Sequence, residues 1–414
     1  MAPNRILVVD DSAFMRKVVS DLIEDDPQFT VIGTAKNGKE AIAKVKELQP
    51  DAVTMDVEMP EMNGLEALLH IMQDTPVPVI MLSSLTEEGA RETIIALERG
   101  AVDFVRKPSG SVSLDVYKVK LLLQEKLRMA VKIRMSSKNA LQAPSSGKAS
   151  AALAVTPVKR TAVQEAAVVR KPAKTEESKQ KFGSDKPAIP KVWPNPQSNS
   201  ELPGQAAAAN QTIPTHSRTK ITKLVAIGTS TGGPRALNQV LSELPADFPA
   251  PIVIVQHMPP KFTHSLAERL DKNSQIAVTE ASEGEELQTG KAYIAPGGWH
   301  LLIVKQTAGS YRVKLTKDEP RNGHRPSVDA LFDSLLPIAE DLEMHAVVMT
   351  GMGSDGAKGM KALKEAGIRT AIAESEETCI VYGMPRAAVE TQCVDYILPV
   401  TEIPRKLTEL LMSR

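Results

Sequence analysis

The chain has 414 residues, more than the roughly 100 to 200 that one ordinary core needs, so two or three domains are expected. Its 50 Lys plus Arg balance its 50 Asp plus Glu, which argues against an overall polycation built to bind nucleic acid or anionic membrane. Two cysteines, Cys379 and Cys393, are too few for a disulfide framework and lack metal-ligand spacing, so a reducing compartment is expected.

The neutral total is a cancellation: residues 1–125 carry 13 basic and 21 acidic side chains, residues 126–220 carry 17 and 5, and residues 221–414 carry 20 and 24. The apolar run Ile6-Leu-Val-Val9 is broken at once by Asp10 and Asp11, unlike a secretory leader, and no stretch reaches the ~18 apolar residues of a membrane span. A cytoplasmic location is expected.

From Arg5 to about Met129, short apolar runs alternate with longer amphipathic segments. The runs are Ile6 to Val9, Val31-Ile-Gly, Asp51 to Met55, Val77 to Leu82 and Asp103 to Val105, with helical patterns such as Lys39 to Leu48 and Glu87 to Arg99 between them. Runs this continuous fit strands buried on both faces of a parallel sheet, and five such βα units make a flavodoxin-like doubly wound domain over residues 1–130. Asp10-Asp11 follows the first strand, Asp56 the third and Lys107-Pro108 the fifth, so the topology gathers three carboxylates and an ammonium at one sheet edge. Like charges that close call for a hard divalent cation such as Mg²⁺, with Asp10, Asp11 and Asp56 as its metal-binding set. Asp56 can then attack a phosphoryl donor while Lys107 and the Ser83 hydroxyl hold the new phosphate's oxygens. Any one of these acids alone reads as a helix cap or a solvated loop residue.

Together with the turn Asp56-Val-Glu-Met-Pro60 and the step Asn63-Gly64, these positions closely resemble response-regulator receiver domains over residues 5–125. The resemblance implies phosphorylation of Asp56 by a histidine kinase, with Ser83 standing where the family more often has Thr.

Between about Ser136 and Arg218 the texture turns to Ala, Pro, Ser, Lys and Gln, with Phe182 and Trp193 the only aromatics. Residues 131–218 are therefore expected to form a flexible, disordered linker, because so little apolar surface cannot offset ordering entropy. Its scattered positive charge reads as a solvated tether, with anionic surfaces as the other reading.

The αβ rhythm resumes over residues 219–414 with Leu224 to Ile227, Ile252 to Val255, Ala292 to Ala295, Ala346 to Met349, Thr370 to Ala373 and Tyr396 to Leu398, as expected of a Rossmann-like parallel sheet. The first of these strands enters Gly228-Thr-Ser230-Thr-Gly232-Gly233-Pro234, a G-x-S-x-G turn that presents a serine hydroxyl. A plain Gly-rich turn or a phosphate cradle are the other readings, although the P-loop and dinucleotide spacings are absent. His257 follows the next strand at the same edge and is the candidate base, with His300 as the alternative. Asp355, in the Gly-rich loop Thr350 to Gly356, is the candidate orienting carboxylate. The order Ser, His, Asp is not that of the α/β-hydrolases.

Gly228 to Pro234, Val255-Gln-His-Met-Pro259, Ala295-Pro-Gly-Gly, His324-Arg-Pro-Ser-Val-Asp329, Thr350 to Gly356 and Tyr382-Gly-Met-Pro-Arg386 resemble the chemotaxis protein-glutamate methylesterases across essentially all of residues 221–400. The resemblance implies a catalytic triad of Ser230, His257 and Asp355, and oxyanion donors at the backbone N–H groups of His257 and Met352. It also implies demethylation of glutamate methyl esters and deamidation of glutamines on membrane-bound chemoreceptors, with no cofactor for the esterase chemistry. Arg321 and Arg325 are candidates for recognising acidic neighbours of the target. The unphosphorylated receiver is expected to cover the esterase cleft. A linker longer than is usual in the family would weaken that cover by lowering effective concentration. A nucleic-acid-binding second half is disfavoured by the acidic balance of residues 221–414 and by the lack of a helix-turn-helix pattern.

Overall fold

The computed structural model describes residues 2–107, 113–142, 220–307 and 309–412, and the side chains of 113–115 and 134–142 are not included. The predicted linker therefore lies almost entirely outside the described residues, as does Pro108.

The first domain runs β1 (Asn4–Val9), α1 (Ala13–Glu24), β2 (Phe29–Ala35), α2 (Gly38–Leu48), β3 (Ala52–Asp56), α3 (Gly64–Asp74), β4 (Val79–Ser83), α4 (Glu87–Glu98), β5 (Asp103–Arg106) and α5 (Ser113–Gln142). Its five strands are all parallel in the order β2-β1-β3-β4-β5. Ile6, Leu7, Val8 and Val9 are all fully buried, because helices cover both faces of the sheet, and that is why the strand reads as an unbroken apolar run. Helices α1 to α4 begin at Ser12, Asn37, Asn63 and Thr86, each of whose side chains accepts a backbone N–H of the first turn.

The second domain runs β6 (Lys223–Thr229), α6 (Gly233–Ser242), β7 (Ile252–Gln256), α7 (Phe262–Asn273), β8 (Ala277–Glu280), β9 (Lys291–Ile294), β10 (His300–Thr307), β11 (Ser310–Thr316), α8 (Val328–Leu335), β12 (Glu343–Val348), α9 (Ala357–Glu365), β13 (Thr370–Glu374), α10 (Met384–Glu390), β14 (Tyr396–Leu398) and α11 (Ile403–Met412). Seven parallel strands form one sheet in the order β14-β13-β12-β6-β7-β9-β8. The chain leaves β6 toward β7 on one side and enters β13 from β12 on the other. The β6/β12 boundary is thus a topological switch point, where such sheets open a crevice at their C-terminal ends.

Every apolar run expected to be a strand is one. The edge strand β8 and the antiparallel hairpin β10–β11 were not anticipated. β8 has only four residues, and the hairpin lies outside the main sheet and packs beside α8, where Ile303 N–H donates to Ser334 Oγ at 3.1 Å.

The two domains meet through α4, β5 and the elbow after β6. Arg269 of α7 forms a forked pair with Glu98 of α4, at 3.0 Å from Nε to each oxygen and 2.8 Å from Nη2. Phe104 and Phe262 stack with centroids 4.5 Å apart, and Thr231 Oγ1 donates to Asp103 Oδ2.

Candidate active site

The turn after β6 is shaped by what a side chain would strike. Gly232 has φ +82°, and a Cβ there would lie 2.8 Å from Ile380, while a Cβ on Gly233 would overlap Gln256 Oε1. Glycine at both positions lets the chain turn sharply from strand to helix and leaves Ser230 at the sheet edge, 9% exposed. The elbow is pinned on both sides. Ser230 N–H donates to Thr350 O at 3.0 Å, and Gln256 Nε2 donates to the carbonyls of Ser230 (2.9 Å) and His257 (3.2 Å). Gly351 leaves room for the serine, since a Cβ there would sit 2.8 Å from Ser230 Cβ.

His257 follows β7. Its Nε2 lies 2.8 Å from Asp355 Oδ2, with side chains 5% and 1% exposed, and its buried Nδ1 has no hydrogen-bond partner. The nitrogen open to a hydroxyl is therefore Nδ1, and the Asp355 contact fixes Nε2 as the protonated one.

Asp355 is among the most heavily satisfied carboxylates in the described structure. It accepts from Ser327 Oγ (2.9 Å), Val328 N–H (2.7 Å), Asp329 N–H (3.1 Å) and Asn322 Nδ2 (2.8 Å), besides facing His257. Val328 and Asp329 open α8, so the carboxylate sits at a helix N-terminus, where an anion is favoured. Burial alone pushes this carboxyl up, but His257, Asn322 and the helix amide outweigh it and hold the group well below the usual carboxylate range.

Ser230, His257 and Asp355 thus lie on adjacent loops at the switch point, with His257 and Asp355 in contact. His300, the alternative base, is elsewhere: it opens β10 of the separate hairpin, where Nε2 faces Glu319 O at 3.1 Å. The two predicted oxyanion donors also differ. The His257 N–H is spent on Thr229 O at 3.1 Å, whereas the Met352 N–H engages no described residue. Arg321 pairs with Asp333 of α8 at 2.7 Å, and Arg325 donates to Lys317 O and Asp318 O of its own loop, so each already has protein partners. Residues that went unremarked in the sequence include Asn322, Gln256 and Glu374, whose buried carboxylate accepts Thr350 N–H at 2.8 Å. Periodicity marks none of them, because the contacts to Asp355, Ser230 and Thr350 reach across the chain.

In the first domain, Lys107 Nζ bridges Asp10 (2.9 Å) and Asp56 (2.7 Å). Oxygens of Asp10, Asp11 and Asp56 lie within 4.8 Å of one another. Burial raises the Asp56 carboxyl to about 6, against the pull of Lys107. An all-carboxylate donor set of this span suits a hard divalent cation. Ser83 Oγ points to α4 instead, donating to Gly89 O (3.1 Å) and accepting from Thr93 Oγ1 (2.8 Å).

The fold and these two sites define a class: a response-regulator receiver fused to an α/β effector domain that carries serine, histidine and aspartate at its switch point. Residues 6–116 match the response regulator receiver domain family and residues 225–407 match the CheB methylesterase family. The chain is 47% identical over 98% of its length, and 98% of the relative's, to the protein-glutamate methylesterase/protein-glutamine glutaminase of Geobacillus kaustophilus, and 44% identical to that of Bacillus subtilis over 98% and 97%. It also resembles the solved Thermotoga maritima CheB methylesterase catalytic domain, at 49% identity over 46% of this chain and 98% of that one, with a TM-score of 0.44. The chain belongs to the protein-glutamate methylesterase/protein-glutamine glutaminase family. Because these relatives are matched over nearly their whole length, the linker is of ordinary length for them, and the expected weakening of domain contact by a long tether is not retained.

Proposed function

We propose that Ser230, His257 and Asp355 form the triad with which this chain hydrolyses glutamate γ-methyl esters on chemoreceptors and deamidates receptor glutamines. The observation that carries the reading is the buried 2.8 Å pair of His257 and Asp355 beside the Ser230 elbow. Ser230 Oγ attacks the γ-carbonyl carbon as His257 Nδ1 takes its proton, and Asp355 holds the imidazolium that forms. The tetrahedral oxyanion is received by Met352 N–H. The His257 N–H joins it only if the Thr229 contact is released. His257 then returns the proton to the leaving group, so that methanol, or ammonia from a glutamine, departs. Water activated by the same nitrogen hydrolyses the acyl-enzyme.

The receiver supplies the control. Asp10, Asp11 and Asp56 would hold the Mg²⁺ that offsets their charge during phosphoryl transfer from a histidine kinase, and Asp56 is the acceptor. The 2.7 Å contact of Lys107 with Asp56 supports a role for its ammonium in holding the phosphate oxygens. Ser83 reaches them only by leaving Gly89 in α4, and α4 carries the Glu98–Arg269 contact to the effector domain, which gives phosphorylation a route to the interface. Both proposed chemistries support a cytoplasmic location. Among the described residues no helix is long and apolar enough to cross a membrane.

The test is mass spectrometry of methylated and glutamine-bearing receptor peptides incubated with the protein, with and without a phosphodonor. Wild type should release both modifications faster after phosphorylation, and Ser230→Ala should release neither. Turnover by Ser230→Ala would sink the triad.

A further inference from the structure

Four residues, Arg321-Asn-Gly-His324, form a tight hairpin outside the three triad loops. Arg321 and His324 exchange both backbone hydrogen bonds, at 3.0 and 2.9 Å, and the two residues between them have φ of 52° and 80°. Positive φ at both central positions is the mark of a type I′ turn, the geometry that Asn-Gly favours. The turn sends its two polar side chains to different members of the histidine-aspartate pair. Asn322 Nδ2 donates to Asp355 Oδ1 and to Asp329 Oδ2, each at 2.8 Å. The ring of His324 lies flat on the ring of His257, with centroids 3.8 Å apart and 7° between planes.

We propose that this turn is a clamp on the general base: His324 fixes the plane of the His257 ring by stacking, and Asn322 fixes the carboxylate that the ring must meet. The proposal rests on the triad reading above and names two positioning residues for it. Neither needs to touch the substrate or exchange a proton. A ring held only by one 2.8 Å contact to Asp355 can still rotate about that contact, carrying Nδ1 away from Ser230. A flat neighbour on its face removes that freedom, and misplacement of a catalytic group by about 1 Å can lower turnover as much as 100-fold. Burial first, and the neighbouring His257 second, lower His324 to about 4, so the covering ring is uncharged at neutral pH and does not compete for Asp355.

The test uses the full-length phosphorylated protein on methylated receptor, reading kcat and KM separately, with the proton resonance of His257 Nε2–H as a structural report. His324→Ala should lower kcat by about 10- to 100-fold with little change in KM, and should broaden or lose the Nε2–H signal. His324→Phe, which keeps a flat ring, should recover kcat to within about threefold of wild type and restore the signal. Asn322→Gly keeps the turn, since glycine accepts the left-handed conformation, and should lower kcat while melting cooperatively. If His324→Ala does not fold, His324→Leu replaces it, filling the space without a flat face. Wild-type kcat in His324→Ala and Asn322→Gly would overturn the clamp, as would a His324→Phe as slow as the alanine variant, which would assign His324 a chemical role. Ser230→Ala, run on the same substrate, separates this failure from that of the triad. Turnover by Ser230→Ala rejects the triad, whereas an inactive Ser230→Ala beside a fully active His324→Ala rejects the clamp alone.

Discussion

Asp355 and Asp329 cap each other's helices. Asp355 accepts the N–H groups of Val328 and Asp329 at the start of α8, while Asp329 Oδ1 accepts those of Gly356 (3.0 Å) and Gly359 (2.8 Å) at the start of α9. The carboxylate proposed to orient the base is thereby part of the framework that joins two helices, so its position is set by the helix packing and not by its own loop.

Removing the second member of that exchange should therefore loosen the first. Asp329→Ala leaves two buried amides of α9 without acceptors, and a loss of about 2–3 kcal/mol is expected in the unfolding of the effector domain. Urea denaturation of this variant beside wild type checks it, and a midpoint unchanged within error would show that the exchange is dispensable.

The forked Glu98–Arg269 contact is the most geometrically specific link between receiver and effector. If the unphosphorylated receiver restrains the effector, Arg269→Ala should raise turnover without a phosphodonor by roughly fivefold, the equivalent of about 1 kcal/mol for such a pair. Phosphorylated turnover should stay the same. A fall in both states, or no change in the basal rate, would disconnect this pair from regulation.

A half-buried histidine and a buried one predict an acid limit to stability. Burial lowers both His324 and His345 from 6.5 to about 4, in the second case against the pull of Glu343. Between those values the unfolded chain binds more protons than the folded one, so stability is complete above about pH 6.5 and is lost as pH falls toward 4. Denaturation midpoints at several pH values should decline through this window, and His324→Phe should make the decline shallower. Parallel slopes for the two proteins would exclude His324 as a contributor.

Control and catalysis are separable at single residues. Asp56→Asn should keep basal turnover and lose the response to a small phosphodonor such as acetyl phosphate, and a normal response would reject Asp56 as acceptor. In the effector, His257→Ala should lower kcat by about 10³-fold or more. His300→Ala, whose ring is committed to Glu319 O, should stay close to wild type per folded molecule. Equal losses in the two histidine variants would restore His300 as a rival base.

By itself the sequence determined the two αβ sheets, because strands covered on both faces must be apolar throughout and Ile6 to Val9 or Leu224 to Ile227 can be nothing else in that rhythm. It also determined which side chains stand at the strand ends, namely Asp10, Asp11, Asp56 and Lys107 in one domain and Ser230, His257 and Asp355 in the other. The elbow was legible for a steric reason, since Gly232 and Gly233 have no room for a Cβ. Only the tertiary structure decided which nitrogen of His257 meets Asp355, that the His257 N–H is already committed to Thr229, and that His300 belongs to a hairpin. The turn at Asn322-Gly323 and what its side chains touch were likewise decided by the fold. Asn322 meets a carboxylate 33 positions away, and Gln256 steadies a serine 26 positions back. Contacts of that range depend on how helices and strands pack, and local periodicity carries no information about them.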